Sequence, residues 1–146
     1  KGKPGIKTVS AFFIMSLPTN EFGEDGVFIF ADCGMNENPN EEQLADIAIE
    51  SSKSFIELVN PEGIPKIAML SYSTKGSAHS ELTEKVINAT KLIHEKEPNL
   101  LVDGELQLDA AIVPEVASSK APNSPIKGNS NILIFPDLHA GNIGYK

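Results

Sequence analysis

The amino-acid sequence predicts an α/β domain in three layers, with a mixed, largely parallel sheet between helices. From Lys66 onward, apolar strand segments alternate with amphipathic helix segments in the order strand, helix, strand, helix, strand. This alternation is typical of a parallel sheet with helices on both faces. Near the start of the chain, only residues 18–26 separate two apolar strand segments. Because this connection is too short for a helical crossover, the two strands are expected to pair antiparallel.

The first half of the chain supplies the antiparallel pair and one helix. Residues 1–8 contain proline and glycine and are expected to form a linker. Residues 10–17 (SAFFIMSL) are predicted to be a buried strand, and residues 27–33 (VFIFADC) are rich in aromatic and β-branched strand formers. A helix is predicted from Asn40 to about Val59, because Asn40 and Gln43 match a capping box and apolar residues follow at helical spacing.

The second half supplies the parallel strands and their crossovers. Strands are predicted at residues 66–73, 100–102 and 131–135, and helices at 80–96 and from about 105 to 119. The middle strand is expected to break at Asp103-Gly104, which places its acidic carboxyl end at a solvent cleft. Residues 120–131 are a Pro/Ser/Asn/Gly loop, and a final helical turn containing Gly141 and Asn142 follows Pro136-Asp137.

Right-handed crossovers bring the carboxyl ends of parallel strands to one edge of the sheet. The segments expected there are residues 73–77, 103–107 and 136–142, and all are polar or contain glycine. Their meeting predicts a ligand site.

The segment Ser71–Ser77 (SYSTKGS) lies between a predicted strand and a predicted helix. Backbone N–H groups and Lys75 can hold a phosphate in such a place, but an ordinary helix start accounts for the segment equally well. It is not a phosphate-binding P-loop, because Leu70 stands where the first glycine of that motif belongs.

Other chemistry-bearing residues give weaker signals. Asp103 and Glu105 can bind a divalent metal with Asp137 or His139, although solvated or hydrogen-bonded carboxylates are the simpler interpretation and no metal is predicted. Cys33 is interpreted as a buried, inert thiol that can border the cleft, and no nucleophile motif accompanies His139.

Composition limits the class of protein. Net charge is −8, and all 12 basic residues are lysine, which argues against nucleic acid as a partner and makes phosphate chemistry by this chain alone unusual. No apolar run is long enough to span a membrane, and a single cysteine requires no oxidising compartment. We therefore expect a cytoplasmic protein. The absence of an initial methionine suggests a piece of a longer polypeptide.

Several long segments resemble the phosphate acetyltransferase (phosphotransacetylase) family: residues 30–51, AMLSYSTKGSA (68–78), residues 100–125 (which contain DGELQLDAAIVPEVA) and NILIFPDLHAGNIGYK (131–146). The resemblance covers the whole chain. It implies reversible transfer of an acetyl group between acetyl phosphate and coenzyme A, with coenzyme A as a substrate and no tightly bound cofactor. Phosphate butyryltransferases, and the related non-catalytic end of some malic enzymes with a regulatory or dimerisation role, are the alternatives.

The resemblance also implies a place for this chain within a larger enzyme. The family has two domains around a cleft, in a fold similar to isocitrate and isopropylmalate dehydrogenases, and residues 1–146 resemble the second, inserted domain. The family's catalytic serine-arginine pair, its aspartate and its other phosphate-binding arginines match no position here, so the chain alone is expected to be inactive. The resemblance further implies a homodimer whose subunits are joined largely through this domain.

We expect the residues at the strand ends to line the substrate cleft, on the basis of their position and polarity. They are Ser73, Thr74, Lys75, Gly76, Asp103, Glu105, Pro136, Asp137, Gly141 and Asn142.

Overall fold

The structure is a computed structural model that describes residues 7–146; most of the predicted linker, residues 1–6, lies outside the described residues. Ten helices and strands follow one another within it. They are β1 (Phe12–Ser16), β2 (Val27–Ala31), α1 (Glu41–Leu58), β3 (Lys66–Leu70), α2 (Glu81–Lys96), β4 (Leu101–Leu106), α3 (Leu108–Ile112), α4 (Pro114–Lys120), β5 (Ile132–Ile134) and α5 (Leu138–Tyr145). No helix among these is long and apolar enough to cross a bilayer.

The five strands form one mixed sheet in the order β1-β2-β5-β3-β4. Only β1 and β2 pair antiparallel, with Phe12 opposite Ala31 and Ser16 opposite Val27. The other neighbours are parallel, and β5 pairs with β2 on one side and β3 on the other. The predicted mixed, largely parallel sheet with an antiparallel start is confirmed.

Helices cover both faces of the sheet, so the predicted three layers are confirmed. Successive residues of a strand point to opposite faces. In β3, Ile67 and Met69 pack with α1 and α2, whereas Ala68 and Leu70 pack with the shorter helices α3 to α5. The two hydrophobic cores are therefore separated by the sheet.

The two long helices, α1 and α2, each start at a side-chain cap. Asn40 Oδ1 accepts a hydrogen bond from the Gln43 N–H at 2.9 Å, and Gln43 Oε1 accepts one from the Asn40 N–H at 2.9 Å. Ser80 and Thr83 form the same arrangement at the start of α2. The capping box predicted at Asn40 is confirmed, and it satisfies N–H groups that the first helical turn leaves unpaired.

Strand β1 is less buried than its apolar sequence predicts. Phe13 and Ile14 are 38% and 48% exposed. The expectation of a buried strand is wrong because β1 lies at the edge of the sheet and is only partly covered, with Tyr145 of α5 stacked on Phe13.

Strand β4 does not break at Asp103-Gly104 but continues to Leu106. Gly104 lies beside Met69 of β3, and a shift of register follows between Met69 and Leu70. The predicted break is wrong because the missing side chain of Gly104 makes room for Thr90 of α2. Glycine within a strand often marks such a close approach.

The single short helix predicted near residues 105–119 is two helices, α3 and α4. Val113 between them is extended, with φ −117° and ψ 111°. Pro114 explains the division, because a proline disfavours helical backbone at the preceding residue and suits the first position of the next helix.

Candidate functional site

The carboxyl ends of β3, β4 and β5 meet at one edge of the sheet, as the sequence predicts. Ser73 Oγ donates to Glu105 Oε1 at 3.0 Å, which joins the segments after β3 and within β4. Lys85 Nζ of α2 donates to the Pro136 carbonyl at 2.9 Å, which ties α2 to the segment after β5.

The central part of the loop between β3 and α2, residues 73–78, offers no free backbone N–H group to a phosphate. Every backbone N–H from residue 73 to residue 78 donates to another protein atom: in order, Ser71 Oγ, Ser77 Oγ, the Glu105 carbonyl, Glu105 Oε1, the Thr74 carbonyl and Ser73 Oγ. Of the two sequence interpretations, the structure therefore favours an ordinary helix start over an anion cradle.

Asp103 and Glu105 are not solvated. They are 6% and 3% exposed, so the expectation that they face an open cleft is wrong. Glu105 Oε1 accepts from Ser73 and from the Gly76 N–H at 2.7 Å, while Asp103 forms an ion pair with Lys75. Asp103 Oδ2 is buried without a hydrogen-bond partner. These contacts come from the β3–α2 loop, which covers both carboxylates.

A cavity of about 360 Å³ opens beside this loop, at the ends of β3 and β5. Its walls are mostly apolar and come from β3, α2, α3, α5 and the segments that follow β3 and β5. They are Leu70, Ser71, Tyr72, Leu82, Lys85, Leu108, Phe135, Pro136, Asp137 and Ala140.

Two charged groups lie in the cavity wall. Lys85 Nζ also donates to Asn38 Oδ1 at 3.0 Å, and burial lowers the pKa of Lys85, although the nearby Asp137 carboxylate opposes this effect. Asp137 Oδ1 accepts from the Ala140 N–H at 2.9 Å and so caps α5. The cavity thus combines mostly apolar walls with two charged side chains and the hydroxyl groups of Ser71 and Tyr72.

Of the ten predicted cleft residues, Pro136 and Asp137 line this cavity. Ser73, Thr74, Lys75 and Gly76 lie with Asp103 and Glu105 in the neighbouring loop cluster. Contact of any of these residues with a substrate stays a prediction. Sequence reasoning missed Leu82, Lys85 and Leu108. For Leu82 and Leu108 the available signal was an apolar residue in the first turn of a helix after a strand, whereas nothing in the sequence distinguished Lys85.

Gly141 and Asn142 lie away from the cavity, under the turn after β2. A methyl group at Gly141 would collide with the Asp32 carbonyl, and Asn142 Nδ2 donates to the Cys33 carbonyl at 3.1 Å. They hold α5 against this turn.

Cys33 is fully buried at the end of β2, and burial together with the Asp32 carboxylate raises its pKa to about 12. A protonated, buried thiol is a poor nucleophile. Within residues 7–146, no group of three His, Cys, Asp or Glu side chains is arranged to hold a metal ion.

A family model described as "Phosphate acetyl/butaryl transferase" matches residues 1–146. The chain is 61% identical to phosphate acetyltransferase of Acetivibrio thermocellus over 146 residues, which is 100% of this chain and 43% of that protein. A crystal structure of a phosphotransacetylase from Streptococcus pyogenes superposes with a TM-score of 0.86 at 45% identity, covering 99% of this chain and 42% of that one. A crystal structure of a branched-chain phosphotransacylase from Enterococcus faecalis superposes with a TM-score of 0.69 at 26% identity, covering 91% of this chain and 45% of that one. The chain thus spans less than half the length of these relatives.

Proposed function

The chain belongs to the phosphate acetyl/butaryl transferase family, and from this membership we propose that the whole protein transfers an acetyl group reversibly between acetyl phosphate and coenzyme A. The observation that carries the proposal is the 61% identity to a phosphate acetyltransferase over the whole chain. Identity to the branched-chain phosphotransacylase is 26%, which favours acetyl over larger acyl groups. Coenzyme A is a substrate in this proposal, and no tightly bound cofactor is required.

Residues 1–146 form one domain of a two-domain enzyme in this proposal and supply one wall of its substrate cleft. The chain accounts for 43% of the length of the relative from Acetivibrio thermocellus, which leaves room for a further domain. A domain inserted into another needs its two connections close together. Consistent with this, β1 and the end of α5 are neighbours, since the rings of Phe13 and Tyr145 stack with centroids 4.3 Å apart.

The ten predicted cleft residues have different parts in this proposal. Pro136 and Asp137 contact substrate in the cavity. The loop from Ser73 to Gly76, held by Asp103 and Glu105, forms a rigid rim beside it. Gly141 and Asn142 fix the position of α5 and so of the cavity wall.

A homodimer in the cytoplasm completes the proposal. Phe13 and Ile14 project from the edge strand β1 at 38% and 48% exposure, and an exposed apolar edge is a typical subunit contact. The lone, buried Cys33 requires no oxidising compartment.

Thioester formation from coenzyme A tests the proposed reaction. The whole protein is expected to convert acetyl phosphate faster than butyryl phosphate. The isolated 146-residue chain, checked for folding by circular dichroism, is expected to be inactive, because it contains no arginine to bind the phosphate of the substrate.

Activity in the isolated chain would move catalysis to this domain and contradict the proposed division of labour. A whole protein that is inactive with both acyl phosphates would favour a regulatory role. If the whole protein prefers butyryl phosphate, the proposed acyl group is wrong, but the assignment to the family stands.

A further inference from the structure

Neutral oxygens hold the side chain of Lys85 in the wall of the cavity. Its Nζ donates to the Pro136 carbonyl at 2.9 Å and to Asn38 Oδ1 at 3.0 Å. Four other lysines are instead paired with the carboxylate of an aspartate or a glutamate: Lys53, Lys75, Lys96 and Lys120. We propose that Lys85 is a modification site, at which acetyl phosphate acetylates Nζ without the help of a second enzyme. This inference rests on the proposed function, in which acetyl phosphate is a reactant of the protein.

The hydrogen bonds of Lys85 fit the uncharged form of its amine. An uncharged amine has two hydrogens and one lone pair, whereas the ammonium group has three hydrogens. Pro136 and Asn38 accept two hydrogens, and no third acceptor within residues 7–146 lies at hydrogen-bond distance from Nζ. The remaining position on the nitrogen is therefore available for the lone pair, which is the nucleophile when an amine attacks a carbonyl carbon.

Burial favours the same uncharged form. The pKa of Lys85 is lowered because part of the side chain is removed from water, and the nearby Asp137 carboxylate opposes this effect. Among the described residues that line the cavity, the other titratable side chains are Asp137 and Tyr72. A lower pKa increases the uncharged fraction of the amine near neutral pH, and lysines activated in this way act as nucleophiles.

The modification requires only the amine and acetyl phosphate. The lone pair of Nζ attacks the carbonyl carbon of the acetyl group, and a C–N bond forms. The C–O bond to the phosphate breaks, inorganic phosphate leaves with the electron pair, and the nitrogen loses one proton to solvent. The cavity of about 360 Å³ admits so small a reagent, and Lys85 in its wall is only half-buried.

Acetylation of Lys85 alters the wall of the cavity. The amide nitrogen of acetyl-lysine carries one hydrogen, so it keeps only one of the two hydrogen bonds to Pro136 and Asn38. The positive charge of Lys85 is also lost, while Asp137 keeps its negative charge. An acyl donor that accumulates therefore changes the cavity in which substrate contact is proposed.

Mass spectrometry of the whole protein, incubated with acetyl phosphate in the absence of coenzyme A, tests the site. Lys85 is expected to be acetylated at least about threefold faster than Lys91, an exposed lysine on the same helix. The rate at Lys85 relative to that of free N-α-acetyllysine is expected to be largest at pH 7 and to fall toward pH 10, because the free amine then gains uncharged form. Equal rates at Lys85 and Lys91, or a relative rate that does not fall with pH, would overturn the inference.

Two variants sharpen the test. Asp137→Asn keeps the oxygen that caps α5 but removes the opposing charge, so it is expected to raise the rate at Lys85 at least about twofold. The rate at Lys91 in the same sample is expected to stay unchanged, which shows that the fold is intact. Lys85→Arg keeps the positive charge and is expected to lose this acetylation while the rate at Lys91 stays the same. An unchanged or lower rate at Lys85 in Asp137→Asn would contradict the proposed environment.

The reagent is supplied directly, so the outcome does not depend on whether the protein transfers acetyl groups. A protein that forms the thioester but is acetylated equally at Lys85 and Lys91 overturns this inference alone. A protein that forms no thioester but is acetylated first at Lys85 overturns the proposed function and keeps Lys85 as the reactive site.

Discussion

Glu105 holds the loop between β3 and α2 in place from the neighbouring strand. One carboxylate oxygen, Oε1, accepts from Ser73 Oγ at 3.0 Å and from the Gly76 N–H at 2.7 Å. Because both donors meet at a single oxygen, the carbonyl of an amide side chain at this position can accept both hydrogen bonds. Buried donors that lose their acceptor are costly, which makes Glu105 a sensitive position.

Two substitutions of Glu105 separate the contribution of its accepting oxygen to stability from that of its negative charge. Glu105→Ala is expected to lower the free energy of unfolding by about 1–3 kcal/mol, because it leaves the Gly76 N–H without an acceptor, whereas the Ser73 hydroxyl can still donate to the Ala78 carbonyl at 3.3 Å. Glu105→Gln is expected to cost about 1 kcal/mol or less, since it keeps the accepting oxygen. Urea denaturation measures both values, and equal losses would show that the charge, and not the acceptor, stabilises the loop.

Cys33 is expected to resist alkylation in the folded protein. Its pKa of about 12 keeps the thiol protonated at pH 8, and the side chain is fully buried. Iodoacetamide at pH 8, followed by mass spectrometry, should leave the native chain unmodified and add one group after unfolding in guanidinium. Rapid native modification would contradict the buried position.

The raised pKa of Cys33 also makes the stability of the fold depend on pH. The thiol of the unfolded chain loses its proton near its ordinary pKa of 9.0, whereas the folded one keeps it to about pH 12. The contribution of this group to stability is therefore complete below pH 9 and decreases as the pH rises toward 12.

At the scale of elements, the packing of α2 against β4 depends on a glycine. A Cβ atom at Gly104 would lie 2.6 Å from Met69 Cβ and 2.6 Å from Thr90 Oγ1. Thr90 is itself held, since its hydroxyl donates to the Val86 carbonyl at 2.9 Å. The strand and the helix must separate to admit a methyl group.

Gly104→Ala is therefore expected to destabilise the protein by about 1–3 kcal/mol, the usual cost of overpacking. Gly34→Ala is the control, because a Cβ atom there would meet only Ala11 Cβ at 3.8 Å, which is ordinary contact. Thermal denaturation of the two variants compares the costs. A loss of similar size in both would attribute the effect to backbone conformation and not to the contact with Thr90.

Helices and strands whose limits depend on neighbouring residues could be predicted from the sequence. Those whose limits depend on contacts with residues far away in the sequence could not. Asn40 with Gln43 specifies the start of α1 within four residues, and the short connection before Val27 specifies an antiparallel pair. Strand β4 continues through Asp103 and Gly104, where two distant contacts meet it: Lys75, 28 residues earlier, pairs with the Asp103 carboxylate, and Thr90 of α2 packs beside Gly104. No pattern within β4 itself contains this information.

The same distinction applies to the candidate site. Position at the end of a strand was sufficient to place Pro136 and Asp137 at this edge of the sheet, and their contact with a substrate stays a prediction. Leu82 and Lys85 belong to α2, and their place in the cavity wall depends on how that helix packs against the sheet. Hydrogen bonding through Glu105, which closes the β3–α2 loop, likewise requires the parallel pairing of β3 with β4.

At the scale of the whole molecule, β1 and α5 join the two ends of the described chain. The Phe13 and Tyr145 rings are nearly parallel, with an interplanar angle of 20°. In the proposed two-domain enzyme this contact lies where the chain passes between domains. It fixes the spacing of the two connections.

The Phe13–Tyr145 contact is expected to show a coupling free energy of about 0.5–1.5 kcal/mol in a double-mutant cycle of Phe13→Leu and Tyr145→Leu. Urea denaturation of the four proteins gives this value. Phe13→Leu combined with Asn40→Ala serves as the control and should be additive, because Asn40 acts as the separate cap of α1. A coupling near zero between Phe13 and Tyr145 would mean that the stacked rings act independently.

The place of β5 in the sheet has a consequence for synthesis of the protein on the ribosome. Strand β5 is the last strand of the described chain to be made, yet it lies between β2 and β3 and is the only strand that joins β1–β2 to β3–β4. A nascent chain that has not yet released residues 132–134 therefore holds two separate strand pairs with unpaired edges. Such edges are open to wrong partners. Completion of this domain must wait until nearly all of its sequence has left the ribosomal tunnel.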